Sequence, residues 1–214
     1  MIEVTEQINA VRRSVGSRTL EAGEARTVTI GRIYDATVEE VWEACTTAER
    51  IPRWFMPVTG DLRLHGRYQL EGNAGGEILT CDPPNGFTAT WEYGGDVSWI
   101  DVSFTADPAG GTRFELLHTA HVDDKFWDEY GPGATGVGWE LGVLGLFLYL
   151  GTGKSMDPKE SEAWSASEEG KEFITASSEQ WRAASIVFGT PEAAATAAGD
   201  RTTAFYTGAD APAG

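Results

Sequence analysis

The stretch that most restricts what this chain can become is "GVGWELGVLGLFLYL", residues 136–150. Its apolar side chains run nearly all the way round a helix, and glycines recur at Gly138, Gly142 and Gly145. A helix that is apolar on every side needs cover on every side. The run from Leu141 to Leu150 is half the ~20 residues that a membrane crossing requires, so a buried core helix is expected. The "GTGKS" that follows ends like a phosphate-binding loop. That loop needs a first glycine where Leu148 stands, and a strand before it, so nucleotide binding is not expected here. Each interior glycine costs ~1 kcal/mol relative to alanine. Either the helix backbone approaches the sheet closely, which is the commoner reason, or the missing side chains leave room for a ligand.

The cover must come from elsewhere in the chain. After Gly153 the composition turns to Ala, Ser and Glu. Asp157, Pro158 and Glu160 read as a helix start: cap, first-turn proline and capping-box partner. Phe173, Ser177, Trp181, Ala184 and Phe188 then recur at helical spacing and form one apolar face. This face is expected to pack on the 138–150 helix; turned outward, it would drive self-association through the C-terminal helices. Thr190, Pro191 and Glu192 begin another helix, and the tail "TGADAPAG" reads as loose.

Ahead of the core helix the pattern changes. Ile8, Val11 and Val15 are spaced for a short N-terminal amphipathic helix. "RTVTIGRIYDA" alternates, with Val28, Ile30 and Tyr34 on one side, and reads as a strand. Thr37 can cap the next helix, whose buried stripe is Val38, Val41, Trp42 and Cys45. "TTAERIPRWFMP" is expected to be a second short helix, stopped by its prolines. From there to about residue 122 four alternating segments are separated by turns such as Pro83-Pro84-Asn85-Gly86, which implies antiparallel hairpins.

That order, with "RIYDATVEEVWEACTTAERIPRWFMP", "GEILTCDPPNGFTATW", "TRFELLHTAH" and "GVGWELGVLGLFLYL", resembles the SRPBCC (START/Bet v 1-like) superfamily. Within it, the resemblance is to the branch named for the activator of Hsp90 ATPase, AHSA1-like. The most telling pieces are Trp54-Phe55, Thr90-Trp91 and Gly138-Trp139, over roughly residues 25–150. The resemblance implies an α+β helix-grip fold, a curved antiparallel β-sheet wrapped around a long C-terminal helix, with a cavity between them. It divides the chain into a helical lead-in (1–24), the grip domain (25–152) and an added α-helical C-terminal extension (153–214) that packs on the domain. The superfamily includes lipid carriers, hormone receptors, polyketide cyclases and co-chaperone domains, and fold alone does not choose among them.

Alternation assigns an inward sheet face. Phe87, Ala89, Trp91 and Tyr93 share it, as do Ile100, Val102 and Phe104, and Phe114, Leu116 and His118. With Trp54, Phe55, Trp139 and Val143 these residues would line an aromatic cavity, or else form a filled core. The candidate ligand-binding residues are therefore Trp54, Phe55, Trp91, Tyr93, Phe104, Phe114, Leu116, His118, Trp139 and Val143. His118 and Tyr93 are the candidate proton-transfer groups if a reaction is catalysed. His118 and His121 fall on opposite faces of one strand and are no metal pair, and His65 reads as exposed. Glu77 is a further polar candidate.

The chain carries no G-x-S-x-G elbow, H-E-x-x-H pair or paired-cysteine ligand set. No cofactor and no metal are expected. A net charge of −17 repels phosphate backbones and anionic lipid, which argues against nucleic acid and membrane surfaces as partners. Cys45 and Cys81 lack metal spacing, and free thiols in the cytoplasm are the default. The reading is a non-enzymatic binder of a small hydrophobic molecule, aromatic or lipid-like. The alternatives are a cavity enzyme of cyclase, aromatase or hydrolase type, or an interaction module that dimerises or serves a chaperone. Nothing in the sequence marks an Hsp90-docking surface.

Overall fold

The computed structural model describes residues 2–209. In chain order it contains α1 (Val4–Asn9), β1 (Val11–Leu20), β2 (Gly23–Tyr34), α2 (Val38–Thr46) and a 3₁₀ turn (Ile51–Arg53). Six strands follow: β3 (Val58–Gly60), β4 (Arg67–Leu70), β5 (Gly75–Asp82), β6 (Gly86–Tyr93), β7 (Asp96–Ala106) and β8 (Thr112–Ala120). The rest is helical: α3 (Asp124–Tyr130), α4 (Gly133–Thr152), α5 (Pro158–Ala166), α6 (Glu168–Phe188) and α7 (Glu192–Thr207). The strands form one curved antiparallel sheet in the order β1-β2-β8-β7-β6-β5-β4-β3, and with long α4 this is the helix-grip fold. The end of the tail, residues 210–214, lies outside the described residues.

The chain forms two compact units, residues 1–30, 122–141 and 157–214 in one and residues 31–121 and 142–156 in the other. Both β2 and α4 pass from one unit into the other.

In the first unit the N-terminal segment departs from the sequence expectation. Residues 11–20 form a strand, and the helix ends at Asn9. Arg13 is the reason the strand was hidden. It sits between Val11 and Val15 on the same side, and its guanidinium is buried against the carboxylate of Glu140, itself fully buried in α4. Arg13 Nε donates to Glu140 Oε2 at 2.8 Å and Nη2 donates to Oε1. Its remaining hydrogens reach the carbonyls of Val11 and Ile8 at 3.0 Å. Oε2 also accepts from Ser177 Oγ (2.8 Å) and Trp181 Nε1 (3.1 Å). Charge is tolerated inside because the pair is bidentate and both oxygens are satisfied.

The apolar face of α6 turns inward in this unit. Phe173 and Trp181 are buried, whereas Phe188 at the helix end is partly exposed. The helix expected to run on from Asp157 is broken in two. Asp157 caps α5 as read, accepting from the Lys159 amide at 2.8 Å. Ser167 then caps α6, accepting from the Gly170 amide at 3.2 Å. Gly170 lies against the Trp164 carbonyl, where any Cβ would sit 2.0 Å from the oxygen.

The second unit holds β3–β8, the end of β2, α2 and the last part of α4. Thr37 caps α2 as expected, accepting from the Glu40 amide at 3.2 Å. The glutamate carboxylate turns instead to Arg50, which also donates to Tyr149 Oη at 2.9 Å. The second short helix is only the 3₁₀ turn around Pro52. The phosphate-loop-like segment is a helix end: Arg53 donates to the Gly153 carbonyl (2.6 Å) and to Ser155 Oγ (3.0 Å).

α4 is the only helix among the described residues long and apolar enough to cross a membrane. Over half of its most apolar stretch is buried within the protein, as befits a core helix.

Candidate functional site

The site is built on the sheet of the second unit. Register places Phe87 opposite Val102, Ala89 opposite Ile100 and Trp91 opposite Ser98 across β6 and β7. Across β7 and β8, Phe104 meets Phe114, Val102 meets Leu116 and Ile100 meets His118. Partners in register point to the same face, so these side chains form one surface.

That surface has two ends of different character. At one, rings contact rings: Tyr34 meets Phe114 (centroids 6.0 Å), Phe114 meets Phe104 (5.8 Å), Phe104 meets Trp42 (5.8 Å) and Trp42 meets Phe87 (6.3 Å). Phe104, Phe114 and Leu116 are buried there, so these three are held by the protein's own side chains. Tyr34 also donates to the Val143 carbonyl of α4 at 3.1 Å, which ties the helix to the sheet. Burial pushes the Tyr34 phenol above its ordinary range, so it stays a donor.

At the other end the rings give way to polar groups. Ser98 Oγ donates to the Trp91 carbonyl at 3.0 Å and lies 2.8 Å from His118 Nε2. Ser98 has one proton, and the carbonyl takes it. The hydrogen on His118 therefore sits on Nε2 and points to Ser98, leaving Nδ1 as the acceptor. The Trp91 ring stands edge-on to the imidazole, with centroids 6.2 Å apart. Burial lowers the His118 pKa to about 4, so the ring is neutral at pH 7.

This has a consequence for stability. The folded-state pKa of His118 lies below its ordinary value of 6.5, so between about pH 4 and 6.5 the unfolded chain binds the extra proton. Stability is full above pH 6.5 and falls as the pH drops toward 4, by ~2 kcal/mol between pH 7 and pH 5. Urea denaturation of His118→Gln across that range is expected to show a shallower acid slope than the parent. Equal slopes would remove histidine burial as the cause.

The other candidates are scattered in character. Trp54 and Phe55 are stacked (centroids 5.3 Å) and half-buried, with Trp54 Nε1 donating to the Ala44 carbonyl at 2.9 Å. Val143 is buried in α4. Tyr93 ends β6 and is 61% exposed, which leaves its phenol in solvent. Trp139 lies on the part of α4 that belongs to the first unit. His65 is exposed, 3.5 Å from Glu77.

The glycines of α4 answer the question their spacing raises. A Cβ on Gly142 would lie 3.3 Å from the Phe55 ring, and one on Gly145 would lie 2.4 Å from the Trp54 carbonyl oxygen. In the first unit a Cβ on Gly138 would lie 3.0 Å from Tyr206 Oη, and one on Gly136 2.3 Å from the Trp181 ring. Close packing is the reason at each, and the neighbour is never a sheet strand.

Two polar members of the face escaped the sequence reading. Ser98 is one. Arg32 is the other: it is buried, and its guanidinium lies 4.0 Å over the Phe147 ring and 5.9 Å from that of Tyr34. It sits in the alternating series Val28, Ile30, Arg32, Tyr34, so the period that placed its neighbours inside placed it inside as well. Among the described residues no group of three or more His, Cys, Asp or Glu side chains is placed to hold a metal.

A curved antiparallel sheet gripping a long helix, with a ring-lined inner face, defines a domain of the START/Bet v 1-like class. The profile of the family described as Activator of Hsp90 ATPase homolog 1-like protein matches residues 35–146, and the chain belongs to that family. The crystal structure of CalU16 from Micromonospora echinospora is 35% identical, with 82% of this chain and 98% of that one aligned and a TM-score of 0.66. Its solution structure gives 0.69 at the same identity, over 84% and 97%. DynU16, a protein of the dynemicin biosynthetic locus, shares the fold at 21% identity (TM-score 0.52) over 60% of this chain and 48% of its own. No protein of curated function matches.

Proposed function

We propose that the chain is a non-enzymatic binder of a small hydrophobic molecule, aromatic or lipid-like, held against the inner sheet face of the second unit. The observation that carries this reading is the change of character along that face. The end at Phe104 and Phe114 is closed by ring-on-ring contacts, while the end at Trp91, Ser98 and His118 offers a half-buried indole beside a neutral, hydrogen-bonded imidazole. An apolar wall with one or two fixed polar groups is the usual composition of a small-molecule site. Trp54, Phe55 and Val143 complete the proposed lining.

The same features weigh against a cavity enzyme. A general acid or base works best with a pKa near the working pH, and His118 is held at about 4. Tyr93 is too exposed to act in a water-excluded site. The free thiols support a cytoplasmic location: burial raises the pKa of Cys45, which keeps it unreactive, and Cys81 is exposed.

Titration of the full chain with aromatic carboxylic acids, naphthols and medium-chain fatty acids, followed by tryptophan fluorescence, tests the reading. At least one class is expected to bind saturably, and Trp91→Ala is expected to weaken it at least about tenfold, the loss of one large ring contact. Saturable binding by no class, or binding untouched by Trp91→Ala, would overturn it.

A further inference from the structure

The first unit has a recess of its own, which shares no lining residue with the face just described. It is an open groove of about 570 Å³ lined by α3, the start of α4, the end of α6 and the start of α7. That volume falls in the range of small-molecule sites. Its apolar wall is Trp127, Tyr130 and Phe188, and its cations are Arg26 and Arg182. Asp128 is the one carboxylate in the lining.

The two arginines differ in what they can do. Arg26 lies 5.3 Å over the Trp127 ring and within 3.8 Å of both Glu24 and Asp124, so its charge is shared. Arg182 makes no hydrogen bond or ion pair with any described residue. Its stem is nonetheless held: a Cβ on Gly199 would lie 3.4–3.8 Å from its Cβ, Cγ and Cδ, so α7 packs directly along it. Arg182 also borders a smaller groove of about 260 Å³ that carries Glu179 and Asp200, and neither acid pairs with it. A fixed stem with an uncommitted guanidinium beside an aromatic wall suits a planar anion. The fork takes two oxygens while the body lies on the rings.

We propose that this groove is a second ligand site, for a small carboxylate with a flat apolar body. The carboxylate pairs with Arg182 and the body lies against Trp127, Tyr130 and Phe188. The site is independent of the sheet-face reading and stands or falls apart from it.

Calorimetric titration of the full chain with 2-naphthoate tests the proposal, with 2-naphthamide as the uncharged counterpart. A saturable naphthoate site that persists in Trp91→Ala is expected. Arg182→Gln is expected to weaken it at least about tenfold, the usual worth of a hydrogen bond to a charged group. The amide is expected to bind at least about tenfold more weakly, for the same lost charge. Arg182 is half-exposed and unpartnered, so this variant is expected to melt like the parent. Ala194→Trp, which fills the groove from α7, is expected to abolish binding. The proposal is overturned if naphthoate does not saturate, if it binds Arg182→Gln or Ala194→Trp as it binds the parent, or if the amide binds equally well. Loss of the site in Trp91→Ala would assign the binding to the sheet face and also overturn it.

Discussion

Glu140→Ala is expected to lower folding stability by about 3–5 kcal/mol, the largest effect of any single polar substitution proposed for this chain, read as a shift in urea midpoint at pH 7. The carboxylate is wholly buried and accepts from three side chains: Arg13, Ser177 and Trp181. Truncation leaves the Arg13 guanidinium buried without its counter-charge and orphans the serine hydroxyl and the indole. The uncompensated charge alone accounts for most of the loss. Removing both charges together separates the contributions. In Arg13→Met with Glu140→Leu no charge is left inside, so most of the stability should return. It should not return fully, because Ser177 and Trp181 still lack their acceptor. A single substitution costing under about 1 kcal/mol, or a double variant no better than the single, would show that the network does not hold this unit together.

That network also explains where the sequence was hardest to read. Periodicity works when the inward residues are apolar, and it placed Ile30, Tyr34, Ile100, Phe104 and Leu116 inside, all of them buried. Cap chemistry is local, and Thr37 and Asp157 do cap their helices. Arg13 and Arg32 break the apolar rule, because each is a charge turned inward, one paired with a carboxylate far along the chain and the other lying over a ring. With Arg13 taken as an outward residue, β1 loses its alternation and Ile8, Val11 and Val15 pass for a helical stripe. The break before α6 was hidden for a similar reason. Ser167 and Gly170 look ordinary in an alanine- and serine-rich run, and only the approach of Gly170 to the Trp164 carbonyl makes them a corner. The candidate site was legible as a face, since alternation names the residues that register brings together. Its division into a filled end and a polar end was not, because that depends on Trp42 and Tyr34 reaching across from other elements. The pairing of Ser98 with His118 spans two strands, and no spacing within one strand reveals it.

Gly145→Val is expected to cost at least about 3 kcal/mol, and Gly145→Ala about 2, although alanine is the better helix former by ~1 kcal/mol. The obstacle is backbone. A Cβ at this position would lie 2.4 Å from the Trp54 carbonyl oxygen, well inside contact distance. That carbonyl cannot easily retreat. The Trp54 amide donates to Ile51 at 3.2 Å, its indole donates to Ala44 at 2.9 Å, and its ring is stacked on Phe55. If α4 moves instead, the Tyr34 hydroxyl loses the Val143 carbonyl. Valine adds a branched side chain, which helices accept less readily, to the same overlap. Gly151 supplies the control, being in the same helix with open space where its Cβ would stand. Gly151→Ala should therefore stabilise by up to ~1 kcal/mol, giving opposite signs for one substitution at two positions of one helix. If both alanines raise the melting temperature alike, the flank of α4 at Gly145 has room to spare. Space beside the helix would then replace close packing as the reason for its glycine, and the ligand site would have to be redrawn to include it.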